Sequence, residues 1–497
     1  MDFLTGIMQG FAICFSWTNL LYCFIGVFVG TLIGVLPGIG PVGTISLLLP
    51  ATFNLQPVSA IIMLAGIYYG AMYGGSTTSI LVNIPGEAAS VITCLDGYQM
   101  ALNGRAGAAL GVSAIGSFVA GTLGILGLMF LAYPLAKAAL RIGPPEFFAL
   151  MCLGLAILTF LARGSMMKAL SMAALGLLLS YVGMDVMTGL QRFTLGRMEL
   201  LDGIGLVPVA MGLFGIAEVM SNIEEEIKTE VFETKVKKLL PNREEWRRSK
   251  GPILRGAALG FFLGIPPGAS NIIASMVSYA TEKKLSLHPE KFGRGMIEGV
   301  AGPESANNSA AAGAFIPLFT LGIPSNTVMA VLLGALMIHG VTPGPLLLKE
   351  HPEIFWGSVA SMYLGNVMLL LLNLPLIGLW VKVLKIPYRI LSPIIILLCI
   401  IGAYSLNSAP FDIAIMVVFG GIGYLMRKLR YEPAPLLLAL VLGTAMERAL
   451  RQSLSMSYGS FTVFLTRPIA AVSMGLAVAL VASNFIPFLG RRRLGIS

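Results

Sequence analysis

Hydrophobic positions in this chain run on where other chains alternate. Between Phe3 and Gly86 there is no Asp, Glu, Lys or Arg, and further uncharged runs cover Ala106–Ala136, Ser305–Leu348, Ile354–Val381 and Pro468–Gly490. About 20 consecutive apolar residues let one helix cross the hydrocarbon core of a bilayer, so these runs predict about twelve to fourteen transmembrane helices or half-helices. The expected class is an all-α polytopic membrane protein with no soluble domain left over.

Polar positions are concentrated in one long stretch, Asn222–Arg255, which divides the chain near its middle. The two sides share a pattern of breaks. Gly30-x-x-x-Gly34-Val35-Leu36-Pro37-Gly38 matches Gly260-x-x-x-Gly264-Ile265-Pro266-Pro267-Gly268 at an offset of 230 (260 − 30). Gly74 and Ile84-Pro85-Gly86 match Gly313 and Ile323-Pro324-Ser325 at an offset of 239 (313 − 74). The pattern predicts a first transmembrane repeat over 1–221, a charged cytoplasmic connecting loop over 222–255, a second repeat over 256–455, and an additional C-terminal helix with a basic tail over 456–497. If that loop and Arg491-Arg492-Arg493 are both cytoplasmic, each repeat crosses an odd number of times and the two copies are inverted. Inverted repeats set a substrate between them near the membrane midplane. The same scheme puts Arg448 and Arg451 on the outer side, against the charge rule.

Composition agrees with a membrane chain: 56% hydrophobic and 11% charged, against roughly 25% charged in soluble proteins. The net charge of +9 falls in short connections such as Lys283–Arg294, Lys382–Arg389 and Arg427–Arg430. It reads as topology and contact with membrane lipid, not as a nucleic-acid surface. The five cysteines are scattered without a CxxC pair and read as packing residues. The N-terminus lacks a signal-peptide pattern. A multi-pass protein of the bacterial inner (cytoplasmic) membrane is expected, and a homo-oligomer is compatible with the pattern.

Candidate chemistry lies at the breaks. No helix continues through Gly34–Gly43, with two prolines and four glycines, or through Gly264–Asn271. Backbone groups freed there need buried partners or a wet cavity. Gly38, Gly40, Gly268, Ser270, Asn271 and Asn308 are candidates to coordinate Na⁺, the only metal expected. The second pair of breaks reads as two re-entrant hairpin tips centred on Pro85 and Pro324. Ser76, Thr77, Thr78, Asn83, Pro85, Gly86 and Glu87 in the first half, and Asn307, Ser309, Ser325, Asn326 and Thr327 in the second, are candidates to bind substrate. A capping side chain and the free N–H groups of a helix N-terminus accept a carboxylate, and two facing tips would hold two. A lone Ser or Thr just as readily bonds its own helix carbonyl. No Lys or Arg lies in the tips, so an anion would rely on a co-bound cation. Glu87, Glu304 or Asp96 could instead carry H⁺, which leaves the coupling ion as Na⁺ or H⁺ and calls for no organic cofactor.

Gly34-x-x-Pro37-Gly38-Ile39-Gly40-Pro41, the block Gly74–Glu87 and Leu95-Asp96-Gly97-Tyr98-Gln99-Met100 resemble the motifs of the large membrane subunit of the tripartite tricarboxylate transporter family. The resemblance covers nearly the whole chain. It implies ion-gradient-driven uptake of citrate or related carboxylates without ATP, with a small membrane subunit and an extracytoplasmic solute-binding protein as partners. Ser325-Asn326-Thr327 is similar to the tip motif of divalent-anion sodium symporters, which implies an elevator-like movement. A self-sufficient cation-coupled carboxylate symporter is the alternative. An intramembrane hydrolase is a remote one, because Gly268-Ala269-Ser270-Asn271 has no well-placed histidine and no HExxH or Walker A motif is present. The expectation is that the chain is not an enzyme.

Overall fold

Local chemistry explains where the helices begin. Pro57, Pro144, Pro352 and Pro410 each open a helix, Pro57–Val82, Pro144–Leu161, Pro352–Asn373 and Pro410–Lys428, at the one position where a missing N–H costs nothing. Asn242 opens Arg243–Gly264 by accepting from the Glu245 N–H at 2.8 Å, while the Glu245 carboxylate accepts from the Asn242 N–H at 2.7 Å. That helix starts inside the segment expected to be a loop. Pro393 lies inside the Tyr388–Asn407 helix, which opens at Tyr388.

The computed structural model describes residues 3–36, 40–162, 165–185, 187–224, 239–266, 271–384 and 386–483. Among them the regular structure is helical apart from one antiparallel β-hairpin, Gly183–Met184 with Gln191–Arg192. Among the described residues eight helices are long and apolar enough to cross a membrane, and Leu4–Cys14, Met166–Ser180, Thr327–Ile338 and Pro468–Ala482 are shorter apolar ones. The chain is an all-α polytopic membrane protein.

Close backbone contact holds the centre together. A Cβ added at Gly26, Gly30 or Gly34 of the Trp17–Val35 helix would lie 2.3, 2.5 or 2.4 Å from the carbonyl oxygens of Met63, Ile67 and Ala71. At Gly256, Gly260 or Gly264 of the Arg243 helix it would lie 2.4, 2.1 or 2.3 Å from those of Gly302, Ala306 and Ala310. Glycines four apart share one helix face, and only a bare Cα lets the backbones approach this closely. The glycines in the two helix pairs differ by 230 residues, and the carbonyls facing them by 239 (302 − 63). These are the two offsets seen in the sequence.

Packing also exchanges partners between the halves. The Pro57 helix packs on Pro352–Asn373, and Glu298–Leu321 packs on Ala106–Ala139. Met166–Ser180 packs on Ala434–Met456, and Pro410–Lys428 on Leu206–Glu224. Ion pairs gather at the helix ends. One end holds Arg105–Glu245 at 2.7 Å, Arg248–Glu298 at 2.8 Å and Lys428–Glu224 at 2.9 Å. The other holds Arg451–Asp185 at 2.7 Å and Arg192–Glu447 at 2.8 Å. Arg451, awkward for the charge rule, is therefore neutralised by the β-hairpin.

Candidate functional site

Two helix reversals shape the centre. The Pro57 helix ends on Asn83 with φ 57°, and the Glu298 helix ends on Gly322 with φ 67°, both left-handed. The chain then extends to Glu87 (φ −143°, ψ 164°) and Asn326 (φ −149°, ψ 177°). Each is an N-cap. A Glu87 oxygen accepts from the Ala89 N–H at 2.7 Å, and the Asn326 side-chain oxygen from the Met329 N–H at 2.9 Å. A carboxylate and an amide, 239 residues apart, do the same local job at matching places.

A buried chain of side chains joins these caps. Asn326 Nδ2 donates to Tyr68 Oη at 3.1 Å, Tyr68 donates to Asn271 Oδ1 at 2.9 Å, Asn271 Nδ2 donates to Asn307 Oδ1 at 3.1 Å, and Asn307 Nδ2 donates to Glu87 Oε1 at 3.1 Å. All five residues are buried. Tyr68 stands eleven residues beyond Pro57, ~17 Å along its helix, and Asn307 nine beyond Glu298, ~14 Å along. Both sit near the middle of their helices, which are 26 and 24 residues long. The exchange is reciprocal: Tyr68, in the first half, holds the second tip, while Asn307, 239 residues later, holds the first.

Glu304 sits beside this chain, 1% exposed. It accepts from the Ser76 and Thr93 hydroxyls, with the Ser113 hydroxyl close by. The ion pairs among the described residues reach neither Glu304 nor Glu87. Asn308 donates to Ser117 at 2.7 Å and to the Glu304 carbonyl at 3.1 Å.

Other candidates have different places. Asn83 is exposed and ends a helix. Thr78 and Ser309 bond the carbonyls of Val35 and Ala257, both at 2.7 Å, and so fasten helices. Ser325 bonds the Ala314 carbonyl at 3.4 Å, Thr77 is buried beside Ser76, Thr327 opens the short helix after the second tip, and Gly40 opens Gly40–Leu48. Pro85 is half-buried, and Gly86 is pressed between Gly34 and Gly75. Asp96 accepts from the N–H groups of Gly293, Gly295 and Met296 and from the Tyr279 hydroxyl, which makes it a tether to the loop before the Glu298 helix. Gly38, Gly268 and Ser270, with Pro37 and Pro267, lie outside the described residues. Tyr68, Thr93 and Ser113 were not singled out from sequence. Tyr68 aligns with Asn307 at the offset of 239, and that signal could have found it.

A cavity of about 1220 Å³ lies toward the β-hairpin, lined by Asp185, Arg192, Glu199, His339, Asp412 and Glu447 among others. His339 follows the twelve-residue helix Thr327–Ile338, whose first turn is capped by Asn326. That helix, ~18 Å long, leads from the cavity to the buried chain.

Comparison with known proteins bears on this geometry. An uncharacterized 52.8 kDa protein in the TAR-I ttuC' 3' region of Agrobacterium vitis is 52% identical over 493 residues, covering 99% of this chain and 98% of that protein. An uncharacterized protein in the TAR-II ttuC' 3' region of the same organism is 51% identical over 234 residues, 47% of this chain and 97% of its own length. No solved structure matches. The model of the tripartite tricarboxylate transporter TctA family matches residues 20–438. With most of its length matched and its helices crossing a membrane, the chain belongs to the tripartite tricarboxylate transporter TctA family, a family of transporters and not of enzymes.

Proposed function

We propose that this chain takes up carboxylates across a bacterial inner membrane, driven by an ion gradient, as the large permease subunit of a tripartite system. Its partners would be a small membrane subunit and an extracytoplasmic solute-binding protein. One observation carries the reading: a buried hydrogen-bond chain at the middle of two packed helices, strung between two capped tips and free of Lys and Arg. Such a centre has no basic side chain to trap an anion, and instead offers amide, hydroxyl and helix-terminus dipoles that bind it reversibly.

Two inverted repeats account for the recurrence of both offsets in the glycine contacts and for the exchanged helix pairs. The halves clasp one another through Tyr68 and Asn307, so the Trp17, Pro57, Arg243 and Glu298 helices would move as one body, elevator-like, against the helices that carry the outer ion pairs. Positive residues favour the cytoplasm for the end with Arg105, Arg248 and Lys428. The large cavity then opens outward, where a binding protein would deliver cargo. Glu304, in its hydroxyl cage, is the first candidate to take up the coupling ion, Na⁺ or H⁺.

The test is uptake of labelled di- and tricarboxylates by proteoliposomes, with and without the partner proteins and with an imposed Na⁺ or H⁺ gradient. Gradient-dependent uptake that requires the binding protein, and that falls with Asn326→Ala and Glu87→Ala, supports the proposal. Uptake that needs no binding protein favours a self-sufficient symporter. Uptake indifferent to both substitutions contradicts the site.

A further inference from the structure

Three buried carboxyl groups, Glu87, Asp96 and Glu304, have partners of different kinds. Glu87 accepts from the Ala89 N–H and the Asn307 amide, and Asp96 from three backbone N–H groups and the Tyr279 hydroxyl. An N–H group can only donate, so the partners of Glu87 and most of those of Asp96 suit a carboxylate and give an added proton nothing to bond. The side chain of Glu304 accepts from hydroxyls, those of Ser76 and Thr93, with Ser113 close by. A hydroxyl donates or accepts as required, so these partners serve a charged and a neutral carboxyl alike.

Counting hydrogens decides which form fits. Ser76 Oγ lies within bonding distance of a Glu304 oxygen and of the Met72 carbonyl, the latter at 3.2 Å, but carries a single hydrogen. With Glu304 ionised, one of those two contacts has no hydrogen in it. With Glu304 neutral, Thr93 donates to one carboxyl oxygen, the other oxygen donates its proton to Ser76, and Ser76 donates to Met72. Every contact is then filled. The titratable groups that face Glu304 are Glu87 from the first tip, Cys94 from the segment after it and Tyr73 from the Pro57 helix, none of which can carry positive charge. A buried carboxylate without a cationic partner is costly.

A sodium ion suits this cage less well. It needs several oxygens with lone pairs turned toward it and room of its own, yet both carboxyl oxygens are in direct contact with hydroxyls. Among the described residues Glu304 is the only hydrogen-bond partner of the Thr93 hydroxyl, so a lone pair turned inward there would strand its hydrogen. A proton needs no room and asks one hydroxyl, that of Ser76, to reverse.

We propose that Glu304 is the site of the coupling proton: it takes H⁺ from water on the outer side, carries it as a neutral carboxyl bonded to Ser76, and returns it to water inside. The proposal rests on the transport reading above and narrows its coupling ion to H⁺. Glu87, as a cap, and Asp96, as a tether, exchange none.

Two measurements on the full-length protein test it. Infrared difference spectra of wild type against Glu304→Gln, in lipid nanodiscs near neutral pH, should show a protonated-carboxyl stretch that the variant lacks and that shifts in D₂O. Ser76→Ala should move that stretch to higher frequency as its hydrogen bond is lost. Proteoliposomes with the partner proteins present and the membrane potential clamped should accumulate labelled di- and tricarboxylates up to about tenfold for a gradient of about one pH unit. Accumulation should be the same with Na⁺ or K⁺ outside, and Glu304→Gln should lose it. A spectrum without a Glu304 band, a band unmoved by Ser76→Ala, or accumulation that follows a Na⁺ gradient at equal pH overturns the assignment. Should Glu304→Gln not fold, the wild-type comparison of the two gradients decides. Failure of every carboxylate to be transported under any gradient counts instead against the transport reading, and the infrared band then decides the proton site by itself.

Discussion

Gly86 is the tightest point at the first tip, and an alanine there should disable the site without unfolding the protein. Its added Cβ would lie 1.9 Å from the Gly34 carbonyl oxygen and 2.7 Å from the Gly75 Cα, both backbone atoms that cannot rotate away. Ordinary contact begins at 3.4 Å, so the tip must retreat by about 1.5 Å (3.4 − 1.9). Glu87 is the next residue, and a shift of that size takes its 3.1 Å bond with Asn307 beyond bonding distance. A hydrogen bond contributes about 0.5–1.5 kcal/mol net, so carboxylate affinity should fall by roughly twofold to tenfold. Overpacking itself costs about 1–3 kcal/mol, visible as a lower Tm. Gly421→Ala is the control: it lies inside the Pro410–Lys428 helix with nothing within 4 Å of the new Cβ, and it should leave Tm and binding unchanged or slightly improved. Calorimetry for binding and thermal unfolding in detergent measure both effects. If Gly86→Ala binds and melts like Gly421→Ala, the tip is not packed against the Gly34 break and the reasoning fails.

Tyr68→Phe removes the hydroxyl that Asn326 and Asn271 share, leaving two buried amide groups short of a partner; a loss of about 1–3 kcal/mol is expected, read from denaturation together with weaker carboxylate binding. Glu304→Gln keeps the size of the buried side chain and removes its charge, so uptake should lose its dependence on the imposed cation gradient while equilibrium binding of substrate persists; proteoliposome flux against calorimetry separates the two. Arg451→Ala should free the β-hairpin, seen as faster amide exchange around Asp185–Arg192. The Arg451 guanidinium, and then the Met187 N–H, hold the Asp185 carboxyl below the ordinary carboxylate range. A lowered carboxyl stabilises the fold above its unfolded pKa, about 3.9, and loses that contribution only as pH falls through the still lower folded value. Hairpin exchange in the wild type, corrected for intrinsic rates, should therefore be flat from pH 5 to 8 and rise only in stronger acid.

Spans, glycine faces and tips could be read in the sequence because each depends on local composition. Uncharged length marks a span, glycines four apart mark a close helix contact, and Pro85 and Pro324 mark reversals. The offset of 239 also aligns Glu87 with Asn326, but a carboxylate and an amide do not look alike in sequence; the shared N-cap geometry is visible only in the fold. Tyr68 was hidden because a tyrosine in an uncharged helix resembles core, and its partner Asn326 is 258 residues away. Thr78 and Ser309 show the opposite difficulty: hydroxyls beside a site motif that face a neighbouring helix carbonyl. Asp96 has the composition of an ion carrier, yet three backbone N–H groups and a tyrosine make it a tether.

The most direct test is a structure of the protein in lipid at saturating carboxylate. The account predicts ligand density between the tips at Asn326 and Glu87, against Tyr68 and Asn307. Density confined to the cavity lined by Arg192 and Asp412, with the buried chain unchanged, would contradict it.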